Sequence, residues 1–344
     1  MLNRKHLSSL VAVAAVAGIA AAGQAKAATE LTVYTAIEAD DLKRYAAAFN
    51  KQNPDIKIKW VRDSTGIVTA KLLAEKNNPK ADVVWGLAAT SLMLLKNEGM
   101  TQGYMPKGGD KLDKKFIDGS NPPHWTGMDA WVAAICVNTI EAKKNGLPHP
   151  KSWKDLTKPV YKGHVVMPNP NSSGTAYTTL ATIVQLFGED GGFDFMKGLH
   201  KNVNQYTKSG SAPIKAAARG ETTIGIVFLH DVVTQVIKGF PIKAVAPCEG
   251  TGYEIGSMSI IKGARNMKSA KAWVNWALSP PAQKLMPQAK AYQVPSNAGV
   301  EPPPEAPKVD QIKLIDYNFG LYGSSAERKR LLSKWDNEVK SLPR

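Results

Sequence analysis

Pro168-Asn169-Pro170-Asn171-Ser172-Ser173-Gly174-Thr175-Ala176-Tyr177 separates an apolar run, His164 to Met167, from a second one, Tyr177 to Phe187, that stops at Gly188. The first run reads as a strand and the second as a buried helix. Small hydroxyl residues and a glycine therefore sit where a strand turns into a helix. The first N–H groups of a helix lack internal acceptors and carry partial positive charge. Neighbouring Ser and Thr hydroxyls can complete a cradle for an oxyanion. On its own the stretch reads first as an ordinary Ser N-cap with nothing bound, since caps are far commoner than anion sites, and the rest of the chain has to decide between the two readings.

Outward from this turn the same alternation repeats. Leu31 to Thr35 is an alternating, β-branched strand, and Leu42, Tyr45, Ala46 and Phe49 follow at helical spacing. Ile56 to Val61 is a second strand, and Ser64-Thr65-Gly66 is a second strand-to-helix turn. Ala81 to Gly86 is a third strand, followed by a helix ended by Gly99. This order predicts an α/β lobe with a mostly parallel sheet. Trp131 to Asn138 is a continuous apolar run, expected as a strand crossing to a second lobe, and residues 247–256 are expected as the return. Between them lie a third turn, Ser209-Gly210-Ser211, and a buried strand, Thr223 to Phe228, that ends at Leu229-His230-Asp231. The expected organisation is an α/β protein of two lobes joined by two crossing strands, with the ligand cleft between them. Residues 28–133 with 249–300 form one lobe, and 138–247 the other. Residues 305–344 form a helical segment that packs back on the lobes.

The N-terminus has the form of an export signal. Arg4 and Lys5 precede an apolar core from Leu7 to Ala22, and Ala25-Lys26-Ala27 is an A-x-A cleavage site. The chain is thus expected in the periplasm, cleaved near Ala27 and not membrane-embedded. The formal charge is +15, from 44 basic and 29 acidic residues. The lysines are scattered rather than interleaved with aromatics, so nucleic acid is not the expected partner; a basic surface also speeds encounter with small anions. The roughly 317 residues after cleavage exceed what one core usually holds, in line with two lobes. Cys136 and Cys248 are the only cysteines; they either pair, as in many exported proteins, or stay free.

Ligands of open α/β sheets bind beyond the carboxyl ends of the strands. Three hydroxyl-rich turns there, Ser64-Thr65-Gly66, Ser172-Ser173-Gly174-Thr175 and Ser209 to Ser211, point to an oxyanion ligand. Carboxylates at other strand ends, Glu38, Asp231, Glu249 and Glu254, would repel an anion unless the ligand also carries a cation such as an ammonium. Asp231 is the preferred amine partner because it directly follows a buried strand, with Glu38 or Glu249 as alternates. Thr35, Trp85 and Tyr177 stand near strand ends as further candidates. No G-x-S-x-G elbow, Walker motif or H-E-x-x-H occurs, and the six histidines are scattered. No metal site, cofactor or enzymatic activity is expected. His230 beside Asp231 leaves a secreted hydrolase as an alternative.

LTVYTA, ADVVWG, SSGTAY, ARGETTIGI and SPPAQKL…YQVPSNAG together resemble the periplasmic solute-binding proteins of ABC importers, in the group that includes ferric-ion binders. WVRDSTGIVTAKLLAEKNNPKADVVWGLAATS, ICVNT and PCEGTGYEIGS are similar to the 2-aminoethylphosphonate-binding type within it. The resemblance implies a type II binding-protein fold, a monomer, and an importer permease as partner. Iron binders of the group carry a tyrosine pair where this chain has His230-Asp231, and an acidic ligand where it has Leu87. A ferric site is the alternative that this departure weakens. The group holds a phosphate-like anion at positions similar to Ser173 and the Ser209 to Ser211 turn. The resemblance thus implies a small zwitterionic phosphonate, its anion in that place and its ammonium where the metal would sit.

Overall fold

The computed structural model describes residues 28–344. The expected export signal lies outside the described residues. In chain order the elements are β1 (Thr29–Thr35), α1 (Ala39–Gln52), β2 (Ile56–Arg62), α2 (Thr65–Ala74), β3 (Val83–Ala88), α3 (Ala89–Asn97), β4 (Thr101–Gln102) and β5 (Thr126–Asn138). There follow α4 (Thr139–Lys144), β6 (Val165–Pro168), α5 (Gly174–His200), β7 (Val203–Thr207), α6 (Ala212–Ala218), β8 (Ile224–Phe228), α7 (Leu229–Ile237) and β9 (Ile242–Val245). The chain closes with β10 (Tyr253–Ile261), α8 (Met267–Ala277), α9 (Pro280–Gln283), β11 (Val294–Pro295), α10 (Phe319–Tyr322) and α11 (Ser325–Trp335).

The strands run in the order β2-β1-β3-β10-β5-β8-β6-β7. One strand does most to join the lobes. The first half of β5 pairs antiparallel with β10, through Tyr253↔Val132 and Glu254↔Trp131. Its second half pairs with β8, from Ala133↔Phe228 onward, and with β9. A strand buried on both faces needs side chains that are apolar at every position, which is why residues 131–138 read as continuous rather than alternating. The return path runs from β9 to β10 through a loop. The sheet is mixed rather than mostly parallel: β1, β2 and β3 are parallel, as are β6, β7 and β8, but β5 and β10 are antiparallel to their neighbours.

Helices cover both faces of the first sheet. Val33, Val83 and Trp85 face Tyr45, Phe49, Trp273 and other core residues on one side. Tyr34, Val84 and Leu87 face Val68, Leu72 and Leu92 on the other. This is the two-residue period of strands with both faces buried; the extra residue Gly86, at φ 74°, breaks it and puts Leu87 on the face opposite Trp85. The second core is centred on α5 and includes Leu331, Trp335 and Val339 from the C-terminal segment. The assigned span of α5 breaks at Gly188, where φ is 72°, so the helix predicted to stop there does so and a second begins. Among the described residues no helix is long and apolar enough to cross a membrane. Cys136 is buried, Cys248 is exposed, and both are free thiols.

Candidate functional site

The N-termini of α2, α5 and α6 meet at one cavity of about 360 Å³ between the lobes. Ser64, Thr65, Ser173, Gly174, Thr175, Ser209 and Ser211 all line it. Each of the three turns follows a strand that ends at the cleft, which brings three helix starts to one place. Ser173 also caps α5, its hydroxyl accepting from Ala176 N–H at 3.4 Å. The turns touch one another across the cleft. The Gly66 N–H donates to Ser172 O at 3.0 Å. A methyl group on Gly66 would overlap Asn171 O across the cleft, and one on Gly210 would overlap Thr175 Oγ1 within the second lobe. Only glycine allows this approach, and the lobes are closed on each other here.

Glu38 lines the cavity but is fully engaged. Its Oε1 accepts from Arg62 Nη2 and Ser211 Oγ, each at 2.8 Å, and its Oε2 from Lys215 Nζ at 2.8 Å. Burial alone would raise its pKa; the Lys215 hydrogen bond and the charges of Lys215 and Arg62, with the Ser211 hydroxyl, bring it below the usual glutamate range. Arg62, Glu38 and Lys215 together carry one net positive charge beside the three turns. Glu38 therefore does not offer a free carboxylate to an amine. The Ser211 hydroxyl likewise spends its proton on Glu38 rather than on an anion.

His230 and Asp231 stand in the cavity wall at the start of α7. Burial, and then the charge of Glu38, push Asp231 up to about 7. Asp41 is also pushed up to about 7, by burial and then by Glu38 and Asp40. Burial pushes His230 down to about 3, so its imidazole is neutral. His230 Nε2 comes within 3.6 Å of Asp231 Oδ1, closer than neighbours on a helix are expected to approach, yet beyond a hydrogen bond. His230 Nδ1 and Gln293 Oε1 are buried without partners, and both residues line the cavity. Buried polar atoms are normally satisfied, so the cavity is suited to a polar ligand group.

Seven of the residues named from sequence do not line this cavity. Thr35 is buried beneath it and accepts from Ile37 N–H at 3.1 Å. Gly66 supports the contact between lobes, and Ser172 Oγ donates to Lys208 O at 2.8 Å. Trp85 packs edge-on against Tyr45 and Trp273 in the first core. Tyr177 donates to Tyr322 O at 2.7 Å, under the guanidinium of Arg328. Glu249 accepts from the N–H groups of Trp153 and Lys154 at 3.0 and 3.1 Å, capping a 3-10 turn. Glu254, also noted at a strand end, is fully buried and accepts from Thr90 Oγ1 at 2.6 Å. Sequence reading missed Arg62, Asp41, Lys215, Trp131 and Gln293. Arg62 had a signal, since it ends the strand before the Ser64 turn. Among the described residues, no three His, Cys, Asp or Glu side chains are placed to hold a metal ion.

Residues 78–320 match the family of bacterial extracellular solute-binding proteins. The chain is 42% identical to the periplasmic binding protein AfuA of Actinobacillus pleuropneumoniae, solved with fructose-6-phosphate bound, with a TM-score of 0.88 over 91% of this chain and 99% of that one. It is 33% identical to the periplasmic binding protein P5PA, with a TM-score of 0.86 over 90% and 99%. Iron-bound HitA of Pseudomonas aeruginosa shares the fold, at 20% identity and a TM-score of 0.76 over 89% and 99%.

Proposed function

The chain belongs to the bacterial extracellular solute-binding proteins, and from that premise we propose that it captures a small phosphonate carrying an amine, 2-aminoethylphosphonate or a close analogue, for an importer permease. The observation that carries this reading is one cavity lined by both kinds of group. It gathers three helix N-termini and the Arg62, Glu38 and Lys215 cluster, which carries one net positive charge. It also offers Asp231, neutral His230 and the unpartnered Gln293 Oε1. An ammonium needs acceptors in several directions, and these supply them. Asp231 and Asp41, both pushed up by burial and then by neighbouring carboxylates, are in a state that an added cation would partly relieve. The export signal read from Arg4 to Ala27 fits a periplasmic receptor.

A second reading is favoured by one specific observation. AfuA, at 42% identity, holds fructose-6-phosphate, and a protonated Asp231 with Gln293 would suit sugar hydroxyls as well. The ferric alternative has little in its favour at this site, where His230 and Asp231 stand in place of a tyrosine pair. A ligand that binds only the folded state raises the unfolding temperature by mass action. The test is a thermal-shift panel with 2-aminoethylphosphonate, ethylphosphonate, inorganic phosphate, fructose-6-phosphate and ferric citrate. The proposal expects the largest shift with 2-aminoethylphosphonate. A shift with fructose-6-phosphate alone selects the second reading, and one with ferric citrate alone overturns both.

A further inference from the structure

Glu38 belongs to the first lobe, at the junction of β1 and α1. Arg62, at the end of β2 in the same lobe, fixes it from behind, and Arg62 Nε is itself held by Ile37 O at 3.1 Å. Its other two bonds cross the cleft, to Ser211 at the start of α6 and to Lys215 one turn further on. Ser211 Oγ lies 3.1 Å from Ser209 Oγ, on the third anion-facing turn. One carboxylate thus ties that turn to the opposite lobe at two points.

We infer that Glu38 is a positioning residue, a clasp that holds the lobes closed through Lys215 and sets the Ser209 to Ser211 turn, without touching the ligand. This deepens the proposed function, and its affinity arm rests on that reading. The clasp is distinct from a simple electrostatic role. If Glu38 only lowered the positive charge of the cavity, Glu38→Gln would strengthen phosphonate binding. If Glu38 held the amine, Glu38→Gln would weaken only the ligand with an amine. A clasp predicts equal weakening of both ligands, because closure serves each alike.

The first readout needs no ligand. Small-angle scattering of ligand-free protein should give a larger radius of gyration for Glu38→Gln and Lys215→Met than for the parent. The exchange Glu38→Lys with Lys215→Glu should lose the Arg62 support yet move the radius back toward the parent value. An unchanged radius in Glu38→Gln, or no recovery in the exchange, overturns the clasp. In the second readout, Glu38→Gln should weaken 2-aminoethylphosphonate and ethylphosphonate by the same factor, roughly tenfold for a hydrogen-bonded charge pair. Loss confined to 2-aminoethylphosphonate, or tighter binding of either ligand, overturns it. If neither ligand binds the parent protein, the proposed function fails while scattering still decides the clasp.

Discussion

Asp231 carries the finest part of the proposal, because its protonation differs for the two ligand chemistries. Its carboxyl is pushed up to about 7 by burial and by Glu38. An ammonium beside it favours the ionised form, so binding at pH 6 must expel a proton. The ratio of affinities for 2-aminoethylphosphonate and ethylphosphonate should therefore rise from pH 6 to 8. Because the ammonium acidifies its own phosphonate, the two ligands ionise differently in this range, and each affinity is to be referred to the concentration of the phosphonate dianion. Asp231→Asn should lower that ratio roughly tenfold at pH 8, as expected for losing a charge-assisted bond, and should leave ethylphosphonate binding unchanged. The same shifts bear on stability. Asp41, Asp129, Asp231 and Glu254 are all pushed up to about 7, so each contributes stability at low pH that is lost as pH rises through 7. His230, pushed down to about 3, works the other way and contributes above its ordinary range. Four groups outweigh one, and the ligand-free protein should melt at a higher temperature at pH 5.5 than at pH 8. Cys136, buried with its thiol pushed up to about 12, should be silent to a thiol reagent until unfolding. Cys248 should react at once, one thiol in the native protein and two in denaturant.

The element that matters most is the strand-to-helix turn, and it was the most legible feature of the sequence. Hydroxyl residues with glycine at a helix start are a local signal, and Ser64, Ser173, Thr175 and Ser209 do reach the cavity. Local position does not say which way a side chain points. Trp85 lies near a strand end as expected, but the two-residue period turns its ring into the core. Glu249 and Tyr177 found backbone partners that lie 96 and 145 residues away, and Lys215 finds Glu38 across 177. Such pairings depend on how the lobes meet, and no spacing rule reveals them. The role of Gly66 follows the same logic. Its contact is between lobes, so Gly66→Ala should leave each lobe folded, with little change in melting temperature. Closure should be blocked and phosphonate affinity should fall, by roughly a hundredfold if about 3 kcal/mol of overlap must be relieved, which is the upper range for overpacking. Unchanged affinity in that variant would mean that the closed contact at Asn171 plays no part in binding.

At the scale of the molecule, the two-lobe layout was legible in one strand. The continuous apolar run at 131–138 had to be buried on both sides, and β5 indeed pairs with β10 in one half and with β8 and β9 in the other. The antiparallel insertion of β10 was not legible, since strand direction leaves little mark on composition. The C-terminal segment completes the second core: Trp335 is fully buried there and packs edge-on against Tyr206 at 5.3 Å. Trp335→Ala should cost about 3–5 kcal/mol, seen as a lower urea midpoint, while the cavity residues stay in place. The whole-molecule claim is that one closed cleft holds both a phosphonate and its amine. Calorimetric titration of the purified protein with 2-aminoethylphosphonate, set against ethylphosphonate at pH 8, tests it most directly. Saturable binding of 2-aminoethylphosphonate at one site per chain, at least tenfold tighter than ethylphosphonate, is the predicted result. No binding of 2-aminoethylphosphonate, or equal affinity for the two, would contradict it.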